Sequence, residues 1–340
     1  MYDIEDLTRQ QALKRIAILT SGGDAPGMNA AIRASVRAAH AEGIEVFGVL
    51  RGYSGLVADE MRRMEPASVA NILQRGGTLL KSDRCDAFRD PEVRRRVTAQ
   101  LRARGIEALI VIGGDGSLTG AMLLQQETGF PVIGLPGTID NDVFGTDDSI
   151  GFDTAVDTAL GAIDRIRDTA NSHDRLFLVE VMGRASGFIA AYVGIAGGAE
   201  FVLTPERPLD IAYLAQHLRD SQQAGKTSSL IVVAEGREPG RTQELAAQLA
   251  AAGFEPRVCI LGHTQRGGAP TGHDRMLASY LGAMAVRYLL AGRSNLMIGV
   301  DHQRLVAVPL ATVVQGHKSL PPRVLEMAEL LQRRSQAPSP

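Results

Sequence analysis

The sequence predicts an α/β protein built on parallel sheet, and three observations lead there. Short β-branched and aliphatic runs alternate with stretches whose apolar residues recur at helical spacing, from end to end of the chain. Several of the runs stop at glycine-rich turns that open into the next helical stretch. The composition is that of a globular protein, with 45% hydrophobic and 22% charged residues in a chain of 340, long enough for about two domains. Repeated strand–helix–strand units imply a parallel sheet covered by helices on both faces, and such sheets bind ligands at the carboxyl ends of their strands.

Arg15–Thr20 is the first buried strand, and it ends in a Gly-rich turn. Met28, Ala31, Ile32, Val36 and Ala39 then mark a helix. Residues 44–50, 107–112 and 131–135 repeat the strand pattern. A helix over 153–170 carries Val156, Ala159, Leu160, Ile163 and Ile166 on one stripe. Further strands are expected at 176–181, 201–203, 229–234 and 257–261, with helices at 209–223 and 241–252. Residues 1–13 and 333–340 read as loose ends.

Charge and cysteine content narrow the function classes. Thirty-six basic residues face 38 acidic ones, a net charge of −2, so no basic field recommends nucleic acid or an anionic membrane as partner. Two cysteines, Cys85 and Cys259, suit a reducing compartment. The first residues are acidic and polar, unlike a signal peptide. The longest uncharged apolar stretch, 185–199, is too short to span a bilayer. A cytoplasmic protein is expected. Of the basic residues 32 are Arg, which fits either codon bias or a protein that grips phosphates with planar guanidinium groups.

Three turns can carry chemistry. Thr20-Ser-Gly-Gly-Asp-Ala-Pro-Gly-Met-Asn29 is neither a Walker A loop nor a dinucleotide fingerprint, and alone it fits a tight turn as well as an anion site. Ile112-Gly-Gly-Asp-Gly-Ser-Leu-Thr-Gly-Ala121 follows a strand and opens a helix. The N–H groups of Gly114, Gly116 and Ser117 would cradle phosphates there, with Asp115 on a bridging Mg²⁺ or, alternatively, acting as a helix cap. In Pro136-Gly-Thr-Ile-Asp-Asn-Asp142, Asp140 or Asp142 could accept a hydroxyl proton while the other works with the metal, unless both are merely solvated turn residues. Arg175, Arg184, Arg257 and Arg266, with His263, sit at strand ends or glycine clusters that suit an anionic sugar phosphate. No zinc-ligand spacing or nucleophile elbow occurs in the sequence.

Taken together, these blocks resemble the bacterial ATP-dependent 6-phosphofructokinases. The resemblance runs from about residue 15 to 316 and includes Arg75-Gly-Gly-Thr78, Met182-Gly-Arg184 and Gly262-His-Thr-Gln-Arg-Gly-Gly268 beside the three turns. It implies two Rossmann-like three-layer α/β/α domains with mainly parallel sheets and the active site in the cleft between them. A larger ATP-binding domain would span 14–151 and 264–314, and a smaller fructose 6-phosphate domain 152–263 and 315–335, with flexible ends at 1–13 and 336–340. Gly23, Tyr53, Arg84, Cys85, Gly114, Asp115, Gly116, Ser117 and Gly120 would line the ATP site, with Asp115 the Mg²⁺ ligand. Asp140 would be the general base, assisted by Thr138, Asp142 and Arg184. Fructose 6-phosphate would meet Thr138, Ile139, Asp140, Met182, Gly183, Arg184, Glu235, His263 and Arg266. Arg175 and Arg257 would reach that site from a neighbouring subunit of a homotetramer.

Two departures bear on donor and regulation. Pyrophosphate-dependent relatives carry Asp and Lys where this chain has Gly116 and Gly137, so the resemblance implies ATP. Lipid or NAD kinases share only the Gly-Gly-Asp-Gly element, and an inactive sensor would not need Asp115, Thr138, Asp140 and Arg184 together. The family's effector pocket is only partly matched, by Arg33, Arg37, Arg167, Glu200 and Lys226. Pro66 and Ala67 replace an Arg-Tyr pair, and Ala224, Thr227 and Ser228 dilute a basic run. Weak response to nucleoside diphosphate or phosphoenolpyruvate is expected.

Overall fold

The computed structural model describes residues 2–3, 5–173, 175–207 and 210–332. Its elements begin β1 (Arg15–Thr20), α1 (Met28–Ala41), β2 (Glu45–Val49), α2 (Gly52–Val57), β3 (Met61–Met64), α3 (Pro91–Ala103), β4 (Ala108–Gly113) and α4 (Asp115–Thr128). They continue with β5 (Val132–Pro136), α5 (Phe152–His173), β6 (Leu176–Val181), α6 (Phe188–Ala196), β7 (Phe201–Leu203), α7 (Ile211–Gln223), β8 (Ser229–Ala234), α8 (Arg241–Ala251) and β9 (Pro256–Ile260). The last are α9 (Gly272–Leu290), β10 (Leu296–Asp301), β11 (Arg304–Pro309), α10 (Leu310–Gln315) and α11 (Pro322–Gln332). Every expected strand is present to within about two residues. The expected start of α7 at Leu209 lies outside the described residues, as do 333–340. The sequence reading did not foresee α2, β3, α3, α6, α9, β10, β11, α10 or α11.

The chain separates into two compact units. The first comprises Met1–Thr154 and Arg266–Lys318, the second Ala155–Gln265 and the segment from Ser319 onward. In the first, a seven-stranded sheet has the order β11-β10-β5-β4-β1-β2-β3. Its five inner strands are parallel, and the edge strands β3 and β11 are antiparallel to their neighbours. β1 and β4 are fully buried apart from Arg15, as central strands covered on both faces require. The chain lays strands to one side of β1, then returns to its other side with β4, so the order reverses between these two neighbours.

The amino-terminal stretch, expected loose, is tied to this unit. Asp3 N–H donates to Gln303 O and accepts at its carbonyl from Leu305 N–H of the β10–β11 hairpin, both at 3.0 Å, Gln10 and Gln11 donate their N–H groups to Leu290 O at 2.9 and 3.1 Å, and Arg293 pairs with Glu5 at 2.8 Å. These partners lie hundreds of residues away, which local composition cannot reveal.

One buried ion pair braces α4. The Arg94 guanidinium, 3% exposed, binds both carboxylate oxygens of Glu127 at 2.5 and 2.7 Å and donates to Phe88 O at 2.6 Å. Arg94 holds the Glu127 carboxyl below its ordinary value of 4.5. Glu127→Ala leaves that buried cation unpaired and should cost about 3 kcal/mol in denaturant unfolding at neutral pH. Because the folded-state value is lowered, the contribution is present above pH 4.5 and is lost as pH falls through the folded value. The gap between parent and variant should therefore narrow on acidification.

The second unit holds an all-parallel sheet, β7-β8-β6-β9. Its core gathers Leu178, Ile231 and Val233 from the strands with Leu214, Leu218, Leu245 and Leu249 from α7 and α8. Among the described residues, no helix is long and apolar enough to cross a membrane.

Candidate active site

In the first unit the glycine-rich turns gather where the strand order reverses, the place at which open α/β sheets bind ligands. Ser21 N–H donates to Ile112 O at 3.0 Å, so the turns after β1 and β4 start side by side. A Cβ on Gly113 would stand 2.5 Å from Ser117 Oγ and 2.6 Å from Ser21 O, so only glycine fits there. Gly113 pairs with Pro136, and Gly137 N–H donates to Gly113 O at 2.9 Å. This register sets Thr138 Cβ 3.5 Å from the position a Cβ on Gly114 would take. The second and third turns, which follow the neighbouring strands β4 and β5, thus face each other.

The Arg75–Thr78 block joins the same group. Thr20 Oγ1 lies 2.8 Å from Thr78 Oγ1, Asn29 Nδ2 donates to Arg75 O at 3.0 Å, and Leu79 N–H donates to Asn29 Oδ1 at 2.7 Å. Arg266 donates to Asp24 O at 3.2 Å, and a Cβ on Gly23 would stand 2.5 Å from its Nη1.

α4 opens at Asp115. Ser117 N–H donates to Gly114 O at 2.9 Å as the first bond of that helix, and its side chain packs under Gly113. The Ser117 N–H thus lies within the first turn of α4, next to the N–H groups of Gly114 and Gly116. Around Gly116 the space is open, with nothing within 4 Å of a Cβ there. Tyr53 is 5% exposed, donates to Ser117 O at 2.6 Å, stacks on Phe88 at 4.0 Å and lies 3.0 Å from a Cβ on Gly120. Burial pushes its phenol up. The ring therefore supports the start of α4 from below. Arg84 is exposed and Cys85 half-buried; Ser54 Oγ donates to Arg84 O at 3.3 Å.

Asp140 and Thr138 are buried, at 3% and 9% exposure. Asp140 N–H donates to Thr138 Oγ1 at 3.2 Å, and Ser149 Oγ donates to Thr138 O at 2.7 Å. Asn141 sits at φ 52, a left-handed conformation that Asn tolerates better than most residues. Ile139 is fully buried in the core, so only its backbone can face a ligand. Asp142 is half-buried. Asp115 has an exposed side chain, yet partial desolvation and then the Asp142 carboxylate push its carboxyl up to about 6, with His317 acting in the opposite sense. Two facing carboxylates that repel each other form a hard-oxygen donor set that a divalent cation would relieve.

In the second unit, the carboxyl ends of the adjacent strands β8, β6 and β9 bring Glu235, Met182–Gly183–Arg184 and His263 to one edge. Gly183 has φ +140 and a Cβ on it would lie 2.5 Å from Ser186 O, so the turn needs glycine. Arg184 follows at φ 52, its N–H donating to Glu235 Oε1 at 3.0 Å. That strained backbone aims an exposed arginine out of the turn. Arg175 and Arg257 lie at the opposite, amino ends of β6 and β9, in a shallow pocket with Thr227, Ser229 and Glu255. The parallel register sets Arg175 and Arg257, which start their strands as the sequence indicates, at the opposite end from Arg184.

The residues matched to an effector pocket divide in the same way. Arg33 and Arg37 are on α1 of the first unit. In the second, Arg167 donates to Gly197 O and Gly198 O at 2.5 and 2.9 Å, and Lys226 pairs with Glu200 at 2.5 Å. Sequence reasoning missed Phe88, Ser149 and Lys318, whose partners are visible only in three dimensions.

A family profile described as Phosphofructokinase matches residues 15–289. An ATP-dependent 6-phosphofructokinase 1 of Thermus thermophilus is 53% identical over 320 residues, 94% of this chain and 99% of that protein. A T-state phosphofructokinase of Pichia pastoris superposes with a TM-score of 0.84 at 36% identity, over 95% of this chain and 37% of that much longer one. A pyrophosphate-dependent phosphofructokinase of Marinobacter aquaeolei has the same fold, with a TM-score of 0.81 at 24% identity over 96% of this chain and 93% of that one. Glycine turns at the sheet reversal, a buried Asp140 beside them and this breadth of sequence identity converge: the chain belongs to the phosphofructokinase family.

Proposed function

We propose that the chain is an ATP-dependent 6-phosphofructokinase, which transfers the γ-phosphoryl group of ATP to the 1-hydroxyl of D-fructose 6-phosphate. The products are fructose 1,6-bisphosphate and ADP. The observation that carries this reading is the close approach of the Gly114 and Thr138 turns, which sets a glycine-rich helix start beside the turn that carries buried Asp140.

Phosphoryl transfer asks for alignment and charge neutralisation more than covalent help. Gly23, Gly114, Gly116 and the start of α4 would receive the nucleotide phosphates. Asp115 would hold Mg²⁺, with Asp142 beside it. The ion, when bound, neutralises charge that develops on the transferring phosphoryl group. Asp140 takes the proton of the 1-hydroxyl as its oxygen attacks phosphorus, and Thr138 orients the transferring group. Met182, Gly183, Arg184, Glu235, His263 and Arg266 would hold the sugar phosphate.

Open space at Gly116 favours a nucleotide as donor, and Gly137 offers no cation for pyrophosphate. A coupled assay with fructose 6-phosphate and Mg²⁺ tests the donor. ATP should support turnover and pyrophosphate should not; equal or faster turnover with pyrophosphate would reject the assignment.

Arg175 and Arg257 would serve the site of a second subunit in a homotetramer. The separation of these arginines from Arg184 along β6 supports this arrangement. Regulation should be weak, because Arg167 and Lys226 are already engaged within the second unit. Millimolar ADP or phosphoenolpyruvate should leave the fructose 6-phosphate saturation curve nearly unmoved at fixed ATP and Mg²⁺. A several-fold shift at micromolar effector would show a competent pocket.

A further inference from the structure

Beneath the Asp140 turn lies a cation that the proposed chemistry does not use. Lys318 Nζ donates to Asn141 Oδ1 at 2.9 Å and to Asp147 O at 2.8 Å. Asn141 Oδ1 also accepts from Ser149 N–H at 3.0 Å, while Asn141 Nδ2 donates to the same Asp147 carbonyl at 3.1 Å. Lysine is scarce here, with four in the chain, and this one is half-buried.

We propose that Lys318 is a positioning residue, which fixes the 140–142 turn through the Asn141 side chain and so sets where Asp140 and Asp142 point. Asn141 is the natural handle for such control. Its backbone is left-handed, which most residues adopt only when the surroundings impose it. Asp140 and Asp142 flank it directly, so any relaxation at Asn141 rotates both carboxylates. A lysine bridging the Asn141 side chain and the Asp147 carbonyl closes the turn from Asn141 to Ser149 into one hydrogen-bonded unit. Misplacement of a catalytic group by about 1 Å costs on the order of 10²-fold in rate, so a clamp at this point acts on turnover more than on binding.

Burial draws the Lys318 ammonium down to about 8, against the pull of Asp148, Asp147 and Asp142, the acidic groups facing it. Near neutral pH it is mainly charged and can donate to both acceptors.

The inference rests on Asp140 being the base, and the experiment separates the two. Lys318→Met, Asn141→Ala and the double variant are compared with the parent in kcat and in KM for each substrate. Lys318→Met should lower kcat by about 10- to 100-fold with KM for ATP within twofold. Asn141→Ala should do the same, and the double variant should be no slower than the slower single, because both act through one contact. Lys318→Gln, which keeps an N–H donor, replaces the Met variant should that chain fail to fold, and should retain more activity than Asn141→Ala. A kcat for Lys318→Met (or for its Gln replacement paired with Asn141→Ala) within threefold of the parent would overturn the proposal, as would losses that multiply in the double variant. Asp140→Asn, measured alongside, reports on the base by itself: parental kcat there would remove the base while the 318–141 coupling stays readable.

Discussion

Replacing Asp140 by Asn should lower kcat by roughly 10²–10⁴, the usual worth of a general base, while KM for fructose 6-phosphate changes much less. The substitution keeps the shape of the side chain and removes its capacity to accept a proton. Asp140 is 3% exposed, and its N–H is tied to Thr138 Oγ1, so the variant side chain has little freedom to seek another position. Thr138 is in turn fixed by Ser149, and its Cβ lies against Gly114. The loss should therefore appear in the chemical step and not in assembly of the site. Steady-state kinetics at saturating ATP and Mg²⁺ decides the matter. A variant within tenfold of the parent kcat would take Asp140 out of the base role.

The legible parts of this fold and site share a physical cause. Central strands such as β1 and β4 are buried on both faces, so they read as unbroken aliphatic runs. β3 is an edge strand, Met-Arg-Arg-Met, with both arginines exposed, and it leaves no such signature. α9 was missed for the opposite reason. It buries Leu277, Leu281, Met284, Val286, Tyr288 and Leu289 in directions all round its axis, so no amphipathic stripe stands out. The turns at Gly113–Ser117 and Pro136–Asp142 could be found because glycine and aspartate at strand ends have few other uses. Lys318 could not, since Asn141 is 177 positions away and one lysine among surface charges carries no pattern. Asp274 is a similar case: it is fully buried and accepts from Gly151, Thr154 N and Thr154 Oγ1 across more than a hundred residues.

Arg257→Ser should raise KM for fructose 6-phosphate by about 10- to 100-fold, the equivalent of one charge-assisted hydrogen bond of roughly 1.5–3 kcal/mol. KM for ATP should stay nearly constant. Arg257 is exposed near the amino end of β9 and pairs in register with Phe177 near the start of β6, whereas Arg184 lies beyond the carboxyl end of β6. Six strand residues separate the two ends, a rise of about 20 Å, which no arginine side chain spans. Within one second unit, Arg257 and Arg184 therefore cannot hold the same phosphate. If both contribute to affinity, the phosphate at Arg184 must meet the Arg257 of another copy of the chain. Subunit mixing separates this arrangement from an indirect effect. Asp140→Asn chains have intact arginines but no base, and Arg257→Ser chains have the base but a weak phosphate grip. Dissociated, mixed and reassembled, they should form some sites that combine the Asp140 of one parent with the Arg257 of the other, and those sites should recover low KM with high kcat. Absence of complementation in confirmed mixed oligomers would show that Arg257 does not act across a subunit boundary.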